Sequence, residues 1–259
     1  MFAYTATRGR VDVAFTDRHG GVSGGPFASL NLAVNGDERP DPVHENIDIV
    51  AYAFARGGEP APGEDRLTLP PGVPVPAVAL MRQVHGADVH AVTAGTVRSG
   101  EVPTADAIVT RDAGVILLVR VADCVPVLLA DESRRVVGAV HAGRPGLVAG
   151  VVPAAVAALR DLGAERVTAW VGPHVCGRCY EVPEQMRAEV AALVPESYAE
   201  TSWGTPALDI GAGVRAQLSA AGAEVVDAAR CTMEDDDLYS YRRQGVASGR
   251  LGGLVWVRP

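Results

Sequence analysis

The clearest strand pattern in this chain lies between Val115 and Gly150, in the stretch VILLVRVADCVPVLLADESRRVVGAVHAGRPGLVAG. It predicts one strand beginning at Val115, a second over Val125 to Ala130 and a third over Val136 to Val140, with a turn at Asp131 to Ser133. Strands this apolar are buried on both faces of a sheet. We therefore expect polar side chains to reach a cleft only where the strands end.

Reactive side chains stand at the breaks around these strands. Cys124 lies between the first and the second strand, and His141 follows the third, just ahead of a glycine-rich bend, Ala142 to Gly146. Another imidazole, His85, occupies a similar setting upstream, in the segment RQVHG. One thiol and two imidazoles at three such breaks predict a metal site or a nucleophile site.

The remaining pattern predicts a layered α/β or α+β domain covering residues 1–259, with a mixed β-sheet flanked by helices. The segment 57–76, rich in glycine, proline and acids, is interpreted as a loop within that domain. The other predicted strands are Val11 to Thr16, Ala77 to Leu80, Ala105 to Val109, Val167 to Val171, Glu224 to Val226 and Leu254 to Val257. The predicted helices are Pro42 to Arg56 with Asp41 as N-cap, Leu147 to Leu162, Pro183 to Leu193 and Leu208 to Ala221.

Charge excludes several classes of function. The formal net charge of −8 and the pI near 5.2 argue against a nucleic acid or an anionic membrane as the main partner. All 23 basic residues in the Lys+Arg count are arginine, which excludes a Schiff-base lysine and a P-loop lysine.

The cysteines and the N-terminal segment indicate a reducing compartment. The segment MFAYTATRGRVDVAF lacks the apolar core of a signal peptide, and no run of 18 apolar residues occurs, so we expect a soluble cytoplasmic protein. In that setting Cys124, Cys176, Cys179 and Cys231 should be reduced, and each is expected to be buried, reactive or a ligand.

The residues allow two chemistries for the first cysteine. His85, Cys124 and His141 could fill three corners of a tetrahedron around Zn²⁺, which leaves one position open as in catalytic zinc sites. Alternatively, Cys124 could be a nucleophile activated by His141. The spacing of the three residues matches no compact zinc motif, so both interpretations stay open here.

Two other motifs carry weaker signals. Cys176-x-x-Cys179 is interpreted as part of a loop rather than as a redox motif, and no second Cys-x-x-Cys completes a four-cysteine zinc site. The acidic run Glu234 to Asp237 is interpreted as a solvated turn. Multicopper chemistry would need His-x-His pairs, and the sequence has none.

Over nearly its whole length the chain resembles the bacterial laccase-domain proteins, which are called polyphenol oxidases and are regarded as purine nucleoside phosphorylases. The matching segments are Arg18-His19-Gly20-Gly21-Val22-Ser23, Ser29-Leu30-Asn31-Leu32, Gln83-Val84-His85-Gly86, Ala122-Asp123-Cys124-Val125-Pro126, Val140-His141-Ala142-Gly143, Gly172-Pro173, Cys179-Tyr180-Glu181-Val182 and DDDLYSYRRQGVASGR, Asp235 to Arg250. So many segments in one order make the resemblance specific.

The resemblance implies a single α/β domain with Zn²⁺ held by His85, Cys124 and His141. We expect a monomer in which Asp123 is an acid/base or supporting group. The resemblance also implies phosphorolysis of adenosine, inosine and methylthioadenosine, and deamination of adenosine. Copper bound by such soft ligands is expected to be adventitious. The residues assigned to substrate and phosphate are Arg18, Ser23, Asn31, Arg144 and Arg243, since without lysine the anion site must use arginine and polar groups.

One segment departs from the family pattern. The family usually continues His-Ala-Gly with Trp-Arg-Gly, whereas this chain has Arg144-Pro145-Gly146. Substrate preference could differ if the missing Trp stacks on the base. Two alternatives remain beside the purine enzyme: a Cys124–His141 hydrolase acting on an amide, for example in cell-wall precursor editing, and a metal-containing scaffold without activity. Copper-dependent phenol oxidation is the interpretation we favour least.

Overall fold

Two mixed β-sheets form the centre of the structure, a computed structural model that describes residues 1–34, 36–61 and 63–259. The first sheet has the spatial order β1 (Phe2–Arg8), β2 (Val11–Thr16), β13 (Leu251–Val257), β6 (Val115–Val121) and β3 (Ala77–Ala79). The second has the order β12 (Glu224–Asp227), β9 (Thr168–Val171), β7 (Val125–Asp131), β8 (Val136–Ala142), β5 (Ala107–Thr110) and β4 (Val89–Ala91). A separate hairpin pairs β10 (Tyr198–Glu200) with β11 (Pro206–Leu208).

Helices cover the outer faces of both sheets. They are α1 (Pro40–Arg56), α2 (Ala94–Arg98), α3 (Arg144–Ala149), α4 (Val151–Asp161), α5 (Glu184–Leu193), α6 (Ile210–Ala220) and α7 (Tyr241–Gln244). Val50 of α1 is buried in one cluster with Leu118 of the first sheet. Leu159 of α4 and Val214 of α6 are buried in another with Leu129 of the second sheet. Among the helices of the described residues, none is both long enough and apolar enough to cross a bilayer.

Alternation along the strands produces four layers. In β6, Leu117 belongs to the cluster between the sheets, whereas its neighbour Leu118 packs with α1. In β7, Leu128 faces the first sheet and Leu129 faces the helices. Because successive side chains point to opposite faces of a strand, apolar residues cover both faces of each sheet. The resulting order of layers, helix, sheet, sheet and helix, confirms the predicted layered α/β fold.

The three central strands are confirmed within a residue or two, but some boundaries were wrong. The helix predicted over 147–162 is two helices, because Gly150 adopts φ +84° between α3 and α4. The bend predicted over 142–146 is already helical from Arg144. Arg39 rather than Asp41 occupies the N-cap of α1, which begins at Pro40.

Other differences have simple physical causes. Leu208 ends β11 instead of starting a helix, since the Asp209 side chain accepts a hydrogen bond from Ala212 N and caps α6 there. The strand β1 escaped the sequence analysis because its side chains are mostly half-buried and polar residues interrupt the run. Between α1 and β3 the described residues form neither helix nor strand, as the loop prediction required; Pro62 of that segment lies outside the described residues.

Candidate active site and metal centre

Cys124 lies where the chain crosses from one sheet to the other, between β6 and β7. The preceding residue, Asp123, makes this crossing with φ +81°, a conformation that is uncommon for residues other than glycine. Its buried carboxylate accepts hydrogen bonds from Thr232 Oγ1 (2.6 Å) and from the backbone N of Arg242 (2.6 Å). These two bonds fix the turn, and with it the position of the thiol.

His141 is placed beside this thiol by the pairing of β7 with β8. The antiparallel register sets Pro126 opposite His141, so the residue before β7 and the end of β8 meet at one edge of the sheet. The imidazole is almost fully buried, with 3% of the residue exposed. Its Nδ1 lies 2.8 Å from Oδ1 of Asp106.

His85 reaches the same point from the loop between β3 and β4. Its backbone has φ +61°, another left-handed conformation. The carboxylate of Asp106 holds this loop, accepting hydrogen bonds from the backbone N of Val84 (3.2 Å), His85 (2.9 Å) and Gly86 (2.6 Å). As a result, His85 Nε2 lies 3.8 Å from Cys124 Sγ.

Asp106 therefore organises both histidines, and sequence analysis missed it. The residue stands immediately before β5 and is fully buried. A carboxylate next to an apolar strand is unusual enough to signal a special role, because a buried charge needs partners. Here burial opposes the charge, but the hydrogen bonds from His141 and from the backbone lower the pKa of the Asp106 carboxyl.

We call His85, Cys124 and His141 together the His85 centre. Their side chains carry atoms that can coordinate a metal ion. The three potential ligand atoms lie within 4.8 Å of one another. Asp106 accepts a hydrogen bond from Nδ1 of His141, so Nε2 is the ring nitrogen that would be offered to a metal ion. A thiol and two imidazoles suit zinc or copper. The residues present therefore fit a metal ion.

Gly143 makes room for this arrangement. A Cβ atom at that position would lie 2.6 Å from Cδ2 of His85 and 3.1 Å from Sγ of Cys124. The first distance is shorter than real Cβ contacts and the second is tighter than most, so a side chain there would displace His85 and crowd Cys124. The His-Ala-Gly segment thus supplies a ligand and, two residues later, the space in which the other ligands sit.

The same geometry changes the acidity of the free thiol. Burial disfavours the thiolate, but the rings of His141 and His85 outweigh it and lower the pKa of Cys124 to about 6. Burial likewise disfavours the imidazolium, yet Cys124 and Asp106 raise the pKa of His141 to about 9. Without a metal, the pair is a thiolate beside an imidazolium at neutral pH.

A cavity of about 460 Å³ opens onto the His85 centre. Three arginines contribute to its lining, namely Arg120, Arg242 and Arg250, together with the aromatic rings of Tyr180 and Tyr241. Within the described part of the chain, none of these guanidinium groups forms an ion pair with a carboxylate. The cavity thus combines a metal-binding set, positive charge and flat apolar surfaces.

Arg120 is the buried member of this group, and Arg250 is half-buried and donates from Nη1 to Ser248 O and Gly249 O. Arg120 donates from one terminal nitrogen to Met81 O (2.6 Å), while its buried Nε has no hydrogen-bond partner among the described residues. Burial and the charge of Arg250 lower the pKa of Arg120 to about 10, and burial lowers the pKa of Arg250. Both remain charged at neutral pH, so a bound anion would relieve their mutual repulsion.

The structure brings the predicted metal ligands together but places the predicted anion ligands elsewhere. The guanidinium of Arg18 lies over the Tyr239 ring, 4.6 Å from its centre, and donates to Ala28 O. That of Arg243 donates to the backbone oxygens of Met233, Asp235 and Leu238. Both arginines are occupied by loop backbone, and the lining of the cavity comes from other residues.

Ser23 and Asn31 form part of a buried network around Glu38. Both side chains donate to the carboxylate of Glu38 at 2.8 Å. Asn31 Oδ1 also accepts from the backbone N of Arg250 at 2.9 Å, so it supports the cavity from behind. Arg144, at the start of α3, is half-buried and also stands outside the cavity lining. Direct contact of these residues with substrate stays a prediction.

The four layers and the His85 centre in a cleft define a class of protein: a layered α/β protein with a candidate metal centre built on a crossing between two sheets. Residues 12–61 and 63–258 match the family described as multi-copper polyphenol oxidoreductase laccase, and the chain belongs to that family. This confirms the resemblance drawn from the sequence.

Relatives and solved structures agree with this membership. The chain is 52% identical, over 94% of both sequences, to the purine nucleoside phosphorylase SCO2081 of Streptomyces coelicolor. It is 40% identical to the purine nucleoside phosphorylase Cgl2154/cg2365 of Corynebacterium glutamicum, covering 94% of this chain and 93% of that one. The crystal structure of the Neisseria meningitidis protein NMB0706 matches with a TM-score of 0.81 at 29% identity over 99% of both chains. YlmD of Geobacillus stearothermophilus matches with a TM-score of 0.79 at 28% identity, covering 96% of this chain and 93% of that one.

Proposed function

We propose that this protein is a purine nucleoside phosphorylase whose reaction takes place in the cavity above the His85 centre. The observation that carries the proposal is the position of Arg120 and Arg250, one buried and one half-buried guanidinium group without carboxylate partners among the described residues, in the cavity that holds the candidate metal ligands. Relatives named purine nucleoside phosphorylases, at 52% and 40% identity, support the same substrate class.

Phosphate is the anion that this arginine pair would bind. Guanidinium groups donate parallel hydrogen bonds to phosphate oxygens, and the site contains no lysine to compete for that role. In phosphorolysis a phosphate oxygen forms a bond to C1′ of the ribose as the bond from C1′ to N9 of the purine breaks. The purine leaves with the bonding electron pair and takes up a proton, and the sugar leaves as ribose 1-phosphate. Fixing the phosphate beside C1′ removes much of the entropic barrier to this step.

The nucleoside would use the aromatic side of the cavity. Tyr180 and Tyr241 line it, and Arg242 lies over the Tyr180 ring, with its guanidinium carbon 4.5 Å from the ring centre. Rings and planar cations of this kind stack on the faces of purines. Adenosine, inosine and methylthioadenosine are the expected substrates.

Zn²⁺ is the metal proposed for the His85 centre. His85, Cys124 and His141 would hold it, and it would act there as a Lewis acid that also supports deamination of adenosine. With an ion bound, the hydrogen bond to Asp106 would hold the remaining proton of His141 on Nδ1 and leave Nε2 for the ion. Asp123 is proposed as a positioning residue rather than as an acid or base, because both of its oxygens already accept hydrogen bonds.

Product analysis tests this proposal. Purified protein is incubated with adenosine in phosphate buffer and in phosphate-free buffer. We expect adenine and ribose 1-phosphate only with phosphate, and inosine in both buffers. A Cys124→Ala variant should lose the metal of the His85 centre and turnover together. Metal without any purine product would instead favour a scaffold or another substrate.

A thiol hydrolase acting on an amide is the second candidate, and the acidity of Cys124 favours it. A thiolate beside an imidazolium is the arrangement of cysteine hydrolases. The response to a chelator separates the two candidates. A chelator should abolish activity of the metal enzyme and spare a thiol hydrolase, whereas alkylation of metal-free protein followed by metal addition should inactivate both.

A further inference from the structure

Four side chains outside the cavity converge in a second potential metal site. They are Cys176, Cys179, Cys231 and Glu234, called the Cys176 cluster below, and their ligand atoms lie within 4.8 Å of one another. Cys179 is buried, Cys176 and Cys231 are half-buried, and Glu234 is at the surface. The three thiols are unpaired in the structure, and they are all the cysteines of the chain apart from Cys124.

The cluster is built from two turns with the same spacing. Cys176-x-x-Cys179 closes through a hydrogen bond from Cys179 N to Cys176 O (3.0 Å), and Cys231-x-x-Glu234 closes through one from Glu234 N to Cys231 O (3.2 Å). The second turn is therefore the counterpart that sequence analysis missed, since its last ligand is a carboxylate instead of a thiol.

Backbone contacts hold the two turns face to face. His174 N donates to Arg230 O and Thr232 N donates to His174 O, both at 3.1 Å, which pairs the two segments as in a parallel sheet. Between the turns, Cys176 N points at Cys231 Sγ (3.5 Å) and Cys179 Sγ lies 3.5 Å from Glu234 Oε1. The four donors are thus already gathered by the fold.

A packing explanation does not account for this arrangement. A single buried cysteine often behaves as a small apolar residue, but three sulfur atoms and a carboxylate meet here at the protein surface. Glu234 also lies 3.5 Å from the guanidinium of Arg178, an exposed pair that is worth little free energy and would not hold the carboxylate back. Three thiolates and a carboxylate around one ion match the four-ligand, closed pattern of structural zinc sites.

We infer that the Cys176 cluster is a second metal site, structural rather than catalytic, for a thiophilic divalent cation such as Zn²⁺. The ion would fasten the two loops that support one wall of the active-site cavity. Thr232, next to Cys231, donates to the carboxylate of Asp123, and Val175, next to Cys176, donates to Asp123 O at 3.1 Å. Tyr180, next to Cys179, lines the cavity itself. The Cys176 cluster shares no residue with the His85 centre, so a second metal site can be tested independently of the proposed function.

Metal content of the full-length protein tests it. Protein purified from zinc-replete cells without added metal should hold about two zinc ions per chain. Cys231→Ser should hold about one and keep Cys124 protected from alkylation, whereas Cys124→Ala should hold about one and keep the cluster thiols protected. Equal metal content in Cys231→Ser and wild type would overturn the inference. A disulfide among the cluster cysteines in freshly purified protein, seen as a loss of two hydrogens by mass spectrometry, would overturn it as well.

Glu234 offers variants that do not depend on removing a cysteine. Glu234→Cys creates two facing Cys-x-x-Cys turns and should slow removal of the second zinc by a chelator at least about tenfold, whereas Glu234→Gln should speed it by a similar factor. Asp236→Asn is the matched control on the same acidic turn, because its side chain is fully exposed and directed at Arg243. Three equal release rates for the two Glu234 variants and wild type would exclude Glu234 as a ligand and contradict the four-ligand site.

Cobalt substitution gives a readout that is independent of activity. Thiolate ligands produce intense charge-transfer absorption with Co²⁺, and three thiolates at the Cys176 cluster should contribute most of it. Cys124→Ala should therefore keep most of the absorbance, and Cys231→Ser should lose most of it. The reverse pattern would show that cobalt occupies only the His85 centre, against the inference.

Discussion

Oδ1 of Asp106 accepts hydrogen bonds both from Nδ1 of His141 (2.8 Å) and from the backbone N of His85 (2.9 Å). One buried carboxylate thus orients the ring of one proposed metal ligand and the backbone of another. Carboxylates behind ligating histidines set the tautomer and raise ligand basicity. The geometry of the His85 centre therefore depends on a residue that is not itself one of the proposed ligands.

Asp106→Asn should weaken metal binding by about 10- to 100-fold, because the amide no longer demands a proton on Nδ1 of His141. Titration of metal-free protein with zinc in competition with a chromophoric chelator measures this. Asp88→Asn is the control, since Asp88 is an exposed residue of the loop that carries His85. Unchanged affinity in Asp106→Asn would show that the contact is only structural.

Gly143→Ala should displace the ligands of the His85 centre. The added Cβ would lie 2.6 Å from the His85 ring, and the ring must move to avoid it. We expect loss of metal and of turnover with a smaller effect on thermal stability, because His85 sits on an exposed loop that can shift. Gly95→Ala in α2 is the control, where the new Cβ meets only Thr93 Oγ1 at 3.6 Å. A Gly143→Ala protein with normal zinc content would refute the steric argument.

Arg120→Gln should raise the KM for phosphate by about 10- to 100-fold, since a hydrogen bond to a charged group is worth about 1.5–3 kcal/mol. Protection of the protein by phosphate against thermal unfolding should shrink in parallel. Deamination of adenosine in phosphate-free buffer should change little, which separates loss of the anion site from general damage. Arg98→Gln, at the exposed end of α2, is the matched control. An unaltered KM for phosphate would move the anion site away from Arg120.

Asp131 should make part of the stability depend on pH. Its buried carboxylate accepts from Ser133 and from the backbone N of Glu165 (2.7 Å) and Arg166 (2.8 Å). Burial opposes its charge, but these hydrogen bonds lower the pKa of Asp131 below its usual range. The stabilisation is therefore complete above the unfolded pKa of about 3.9, and it is lost as the pH falls from there towards the lower folded pKa.

Asp131→Asn should reduce the free energy of unfolding at pH 7 by about 1–3 kcal/mol, because the amide nitrogen would face N–H donors. The difference between variant and wild type should narrow as the pH is lowered below about 4. Urea unfolding followed by circular dichroism at several pH values measures both effects. A difference that stays constant down to pH 2 would contradict the assignment. Glu132→Gln, exposed on the same turn, is the control.

The sequence was sufficient to predict the central strands and to single out candidate metal ligands that the fold brings together, because these signals are local. Unbroken apolar runs mark buried strands, and Cys124 and His141 stand directly at their ends. Even so, the sequence could not show that β6 and β7 belong to different sheets, since the sheet that a strand joins depends on partners far along the chain, such as β13 for β6.

The arginines of the cavity and the Cys176 cluster show what the sequence alone could not predict. Arg120 is the last residue but one of the otherwise apolar strand β6, where the pattern marks it as an interruption and not as a ligand. Arg243 looked available in the sequence but is occupied by loop carbonyls. Glu234 looked like part of a solvated turn, and only the pairing of two distant segments brings it to Cys179.

The central claim is that the protein cleaves purine nucleosides with phosphate, and ³¹P NMR tests it most directly. Wild-type protein is mixed with inosine and inorganic phosphate, and ³¹P NMR records the products beside a Cys124→Ala sample. We expect a resonance of ribose 1-phosphate that grows in step with released hypoxanthine in the wild-type sample. The Cys124→Ala sample should show no such resonance. Release of hypoxanthine with free ribose and unchanged phosphate, or no reaction at all, would contradict phosphorolysis at this site.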